Sequence, residues 1–165
     1  KQIVNRVLEP FQMMKTIVTA TEYENFFALR CHEDAQPEIH ALADLMADAM
    51  ANSQPKLLTN LMWHLPYVEL YICPEYGNHH YHLDDEDQTE LTLEEARKVS
   101  ASCCAQVSYR KNDAGLEKAL AMYERLVGGK PAHASPFEHQ AHPRGRDYWH
   151  GNFRGWVQFR KKLGL

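Results

Sequence analysis

Residues 92–129, TLEEARKVSASCCAQVSYRKNDAGLEKALAMYERLVGG, decide the fold class of this chain. Thr92 stands three residues before Glu95, the spacing at which a threonine hydroxyl and a glutamate carboxylate each satisfy a free backbone N–H at a helix start. A helix is therefore predicted through Val99 to about Ala105. A second helix is predicted from Asp113 to Gly128. Its Leu116, Ala119, Leu120, Tyr123, Leu126 and Val127 recur at helical spacing, and Gly128-Gly129 ends it. Cys103 and Cys104 fall inside the first helix, where small buried packing residues are a simpler reading than a redox pair.

Upstream, Leu57 to Cys73 is mixed and apolar, with a strand expected around Tyr67–Ile72 after Pro66. Pro74 to Gln88 is polar and acidic and is expected to be an exposed loop. Further back, Pro37 sits in the first turn of another helix. Ile39, Leu42, Met46 and Met50 mark its buried face, and Asn52-Ser53-Gln54-Pro55 stops it. Thr21 and Glu24 repeat the capping spacing ahead of a short helix through Tyr23, Phe26, Phe27 and Leu29. Before that, FQMMKTIVTA (residues 11–20) carries β-branched residues suited to a strand. Ile3, Val4, Val7 and Leu8 form a helical apolar face closed by Pro10. No capping residue precedes it, so Lys1 is expected to lie inside a helix of a longer protein. Downstream, Pro131 to His142 is a tight segment ending in a possible strand, and Phe153, Trp156, Val157 and Phe159 suggest a last amphipathic element. Helices and strands alternate, so the expected class is α/β or α+β.

Composition narrows the function. The 165 residues suit one domain, and 44% hydrophobic with 24% charged residues suits a chain that buries a core. No apolar run approaches the length of a membrane span, so a protein without a membrane partner is expected. The 18 basic residues against 22 acidic ones give −4, the opposite of a phosphate-gripping nucleic-acid binder. Four Cys do not make a disulfide scaffold; reduced thiols in a cytoplasm are the expectation.

Several clusters carry chemistry. Asn78-His79-His80-Tyr81-His82, with Cys73 upstream and Asp84 and Asp85 after, invites a metal, but no Cys-x-x-Cys pair supports zinc and a solvated loop is favoured. There is no G-x-S-x-G elbow, no G-x-G-x-x-G and no phosphate loop. A nucleotide would have to be held by Arg side chains and by hydroxyls or amides at helix ends. Arg6, Thr19, Thr21, Asn25 and Arg30 are such groups, with Thr21 and Asn25 four apart. A polar face with Arg30 paired to Glu33 or Asp34 is the plainer alternative. His133-Ala134-Ser135-Pro136-Phe137-Glu138-His139 gathers two imidazoles, a hydroxyl and a carboxylate around a rigid proline; its plainer reading is a turn whose Phe137 plugs the core.

Together these blocks resemble the flavin-dependent thymidylate synthases (the ThyX family). Arg6-Val7-Leu8-Glu9-Pro10 is similar to the family's Arg-x-x-Leu-Pro. Asn25-Phe26-Phe27-Ala28-Leu29-Arg30 with Ala35-Gln36-Pro37-Glu38-Ile39 resembles its Asn-Phe-x-x-Leu-Arg and Ala-Gln-x-Glu-Ile. Ala105-Gln106-Val107-Ser108-Tyr109 resembles its Ala-Arg-Val-Ser-Phe, and the 133–139 block its His-x-Thr/Ser-Pro-Phe-Glu-His. The order of blocks is reversed, as in a circular permutation of the kind associated with a phage branch. The Arg-His-Arg signature is absent; Phe159-Arg160-Lys161-Lys162 is a degenerate echo of it, or the intact motif lies upstream of Lys1.

The resemblance implies a mixed or antiparallel sheet packed by helices. It implies one catalytic domain over residues 1–165: 1–52 as a substrate and flavin segment, 53–90 as linker and exposed loop, 91–165 as a flavin-binding segment. The implied reaction converts dUMP to dTMP with methylenetetrahydrofolate, NADPH and FAD. Arg30 would stabilise an ionised uracil, and Arg6 would grip the dUMP phosphate. Asn25, Ser135, His133 and Ser108 would contact the flavin, with Thr19 and Thr21 standing where the family has Asn and Arg. The implied assembly is a homotetramer with shared active sites, in the host cytoplasm if phage-encoded. A hydroxymethylating relative, a silent flavin- or nucleotide-binding fragment and a His-rich metal-binding domain are the competing expectations.

Overall fold

The computed structural model describes residues 2–8, 11–107 and 115–165. Ser108, Tyr109, Glu9, Pro10 and the expected helix start at Asp113 lie outside the described residues. Six helices and seven short strands are seen among the described residues: α1 Gln2–Leu8, α2 Glu24–Arg30, α3 Pro37–Ala51, β1 Val68–Ile72, β2 His79–Leu83, β3 Glu90–Leu91, α4 Leu93–Ala105, α5 Leu116–Gly128, β4 Ala141–Pro143, β5 Trp149–His150, β6 Phe153–Arg154, β7 Trp156–Gln158 and α6 Phe159–Lys162. A 3-10 helical turn spans Ser135–Glu138. All strand pairings are antiparallel, so the class is mixed α+β. Backbone contacts divide the chain into two units, Lys1–Val18 with Leu65–His139, and Thr19–His64 with Gln140–Leu165.

In the first unit α4 packs on the sheet β1-β2-β3, and both α5 and the 3-10 turn pack on α4. The capping box forms as expected: the Glu95 N–H donates to Thr92 Oγ1 (3.3 Å) and the Thr92 N–H donates to Glu95 Oε2 (2.9 Å). The buried face of α4 is made of small residues, Ala96, Val99, Ser100, Ala101, Ser102, Cys103 and Cys104. They let α5 approach closely enough for the Ser102 hydroxyl to lie 2.5 Å from the Ala119 carbonyl and 2.8 Å from that of Lys98. None of the four cysteines is in a disulfide, and Cys103 and Cys104 are buried packing residues.

Two expectations for this unit are overturned. The segment after Pro74 is not an exposed loop throughout, because His79–Leu83 forms the central strand β2, in register with β1 from Val68↔Leu83 to Ile72↔His79. Tyr81 and Leu83 alternate inward and are buried, while His80 and His82 point to the polar side. The stretch 11–20 forms no strand ladder. Met13, Met14 and Val18 stay exposed, so β-branched propensity has no partner strand to act on.

In the second unit α2 packs on α3. α3 begins at Pro37 and ends before Asn52, as the sequence predicts. Its expected apolar face is only partly buried: Ile39 and Met46 are half-buried, while Leu42 (51%) and Met50 (47%) are exposed, as is the neighbouring Leu45 (67%). The capping box expected at Thr21 does not form either. Helix α2 starts at Glu24 with Tyr23 as its cap, so Thr21 and Asn25 share no helix face. Instead the Thr21 hydroxyl accepts the Arg154 N–H (2.8 Å), and Asn152 Nδ2 donates to the Thr19 carbonyl. The aromatic residues near the end of the sequence form β6, β7 and α6 around Trp63, whose ring lies 4.6 Å from His142 and 5.8 Å from Phe159, centroid to centroid. Gly151, at φ +65°, turns the β5–β6 hairpin directly over the buried Gln158 side chain.

Candidate functional site

A cleft of about 710 Å³ lies within the first unit. Its floor is set by the turn at 133–139. Gly128-Gly129 ends α5 and lets the chain reverse tightly; a side chain at Gly129 would meet the Pro131 carbonyl at 3.1 Å. The His133 N–H then donates to the Leu126 carbonyl (3.0 Å), tying the returning chain to the last turn of α5. Pro136 fixes the 3-10 turn, and Phe137, fully buried, anchors it edge-on to Tyr123 at 5.7 Å. The core-plugging role of Phe137 and the presentation of polar groups are thus two sides of one turn.

His133, Ser135 and His139 line the cleft beside Arg125, with Met14, Ile17, Met122 and Leu126 supplying apolar wall. Burial pushes the His139 imidazole below its ordinary pKa, with the Glu138 charge opposing this, so at neutral pH it is a neutral hydrogen-bonding group. Arg125 sits in the last turn of α5 and contributes a permanent cation to the cleft. Sequence reasoning missed it. The signal was available: the Leu126 and Tyr123 face points inward, so Arg125 and Met122 flank the helix end where the His133 segment returns.

Of the other expected site residues, Arg6 is exposed on α1 in the first unit. Asn25 and Arg30 are exposed at opposite ends of α2, and Thr19 and Thr21 are half-buried against the β5–β6 hairpin, all in the second unit. Arg30 makes no ion pair among the described residues; the expected alternative partner Asp34 lies 3.5 Å from His32 instead. Ser108 lies outside the described residues.

The histidines of β2 are engaged locally. His80 Nδ1 lies 2.6 Å from Glu90 Oε1, and His82 Nδ1 lies 2.8 Å from the Gln88 carbonyl. No group of three or more His, Cys, Asp or Glu side chains suited to a metal ion occurs among the described residues. No helix among them is long and apolar enough to cross a membrane. Searches against protein-family models, curated proteins and solved structures find no match to this chain.

Proposed function

We propose that this chain is a flavin-dependent thymidylate synthase of divergent, permuted type, reductively methylating dUMP to dTMP with methylenetetrahydrofolate and NADPH. The observation that carries the reading is the cleft beside the 133–139 turn. There two of the residues that the resemblance assigns to flavin contact, His133 and Ser135, line one cavity together with a cation and an apolar wall. Its size falls within the roughly 300–1,000 Å³ of small-molecule sites.

The residues suit FAD. Met14, Ile17, Met122 and Leu126 offer apolar surface to a planar ring, Arg125 offers charge to phosphate, and Ser135 and His133 offer hydrogen bonds. When bound, the flavin supplies the hydride chemistry that no side chain here can perform. The chain's own task is to bind, orient and polarise. Arg30 stands for the electrostatic part: a guanidinium against uracil stabilises an ionised N3 and raises electron density on the ring, and it cannot act as a proton shuttle because it never loses its charge. Arg6 suits the two-pronged grip on a nucleotide phosphate. Both side chains are exposed, and neither has a carboxylate partner among the described residues. The exposed Ile3 and Val7 on α1, and Leu42 and Leu45 on α3, support the homotetramer that belongs to this reading.

The test is flavin binding. Purified protein titrated with FAD is expected to quench flavin fluorescence with about one site per chain, and Ser135→Ala with Arg125→Ala should weaken binding about tenfold or more. Unquenched flavin at saturating protein would refute the reading.

A further inference from the structure

A second cleft, of about 410 Å³, lies wholly within the second unit and is lined by Asn60, His142, Pro143, Arg144, His150, Val157 and Lys162. It is independent of the flavin cleft in every residue.

Its charge is unlike that of the chain. Over residues 140–165 the sequence carries Arg144, Arg146, Arg154, Arg160, Lys161 and Lys162 against Asp147 alone, in a polypeptide whose net charge is −4. That one carboxylate is already neutralised: Arg154 Nε and Nη2 donate to its two oxygens at 2.5 and 3.0 Å, which holds the Asp147 carboxyl below its usual pKa. None of the residues lining the cleft is acidic. Arg144 and Lys162 make no ion pair with a carboxylate among the described residues.

Their heads are nevertheless held. Arg144 Nη1 donates to the Tyr148 hydroxyl (3.0 Å), one of five guanidinium donors, and Lys162 Nζ stands 5.6 Å above the Trp63 ring centroid. His150 is also oriented. Its Nδ1 accepts the Gln158 N–H at 3.1 Å, which leaves the proton on Nε2. Burial, then Lys161, then Arg144 push the His150 imidazole below its ordinary pKa, the response of a titratable ring in a positive field.

Two orientated cations without counter-charge, an imidazole N–H and an amide around one concavity match an anion with several acceptor oxygens and more than one charge. A carboxylate has one charge and two oxygens. A phosphoryl group carries roughly −1.5 to −2 near neutrality and three oxygens. We propose that this cleft binds a phosphoryl group, free or as the ester of a small molecule, with Arg144 and Lys162 as its charged contacts and His150 Nε2–H and the Asn60 amide as its neutral donors.

The imidazole resonances of His150, assigned by their loss in His150→Gln, report occupancy directly. Titration with inorganic phosphate and with glycerol 3-phosphate at constant ionic strength is expected to move them saturably. Arg144→Ala and Lys162→Ala, both at exposed side chains, should each weaken binding about tenfold, while Lys130→Ala, outside the cleft, leaves it unchanged. Tighter binding of glycerol 3-phosphate identifies an ester as the ligand, and equal binding identifies the free anion; both support the phosphoryl site. Resonances that drift without saturating, that move equally in the variants, or that respond as strongly to acetate overturn it.

Discussion

Replacing Phe137 by alanine tests whether the turn at 133–139 is held by its own core residue. The ring is completely buried, lies at the centre of the 3-10 turn and meets Tyr123 at 5.7 Å with planes 81° apart. Emptying a fully buried Phe site costs about 3–5 kcal/mol, within which the edge-to-face pair accounts for about 0.5–1.5. Against a total stability of roughly 5–15 kcal/mol, a loss near 4 is a large fraction. Urea unfolding followed by circular dichroism reads it as a fall in midpoint at unchanged slope. Tyr76→Ala, at a side chain 77% exposed, should stay within about 0.5 kcal/mol. Because Phe137 seats Ser135, flavin binding should fall with stability in the same variant. A loss below about 1 kcal/mol would mean that the turn is held by something else.

Gly151→Ala forces a side chain onto φ +65° and within 2.7 Å of the Gln158 amide, so a loss of about 2–4 kcal/mol is expected by thermal or urea unfolding; an unchanged midpoint would show that the β5–β6 hairpin can relax. His139 titrates below 6.5 in the fold because burial disfavours its charge, so the unfolded chain takes up the proton first. Its contribution is complete above pH 6.5 and is lost as pH falls from there through the lower folded value; His139→Gln should flatten the pH dependence of unfolding in that window, and an unaltered slope would contradict this. Arg30→Ala, exposed at the end of α2, should leave the unfolding midpoint unchanged while reducing dTMP formation by about a hundredfold or more; activity within a few-fold of the parent would remove Arg30 from the site.

What the sequence makes legible here is local. The Thr92–Glu95 cap, the Pro37 helix start and the glycine pair that ends α5 each act through neighbours in the chain, and each forms as read. Elements that need a distant partner are not legible in this way. β2 hid because histidines at 79, 80 and 82 mask the inward alternation of Tyr81 and Leu83. Residues 11–20 have strand composition, but nothing local tells whether a ladder partner exists. The stripe on α3 is amphipathic in sequence, yet periodicity says which residues share a face and not what covers it. The cleft shows the same division. His133 and Ser135 stand out as a dense block around Pro136, whereas Arg125 joins them only because the chain reverses at Gly129. The cationic cleft around Arg144 and Lys162 is hidden in the sequence because overall charge conceals a one-sided stretch.

The most direct measurement is the product itself. The protein is incubated with FAD, NADPH, methylenetetrahydrofolate and dUMP, and the nucleotides are separated by mass. The account predicts that dUMP is converted to a species heavier by one methylene, co-migrating with dTMP and absent when FAD is withheld. Recovery of unchanged dUMP from protein that has bound flavin, or of a hydroxymethylated nucleotide in place of dTMP, would contradict it.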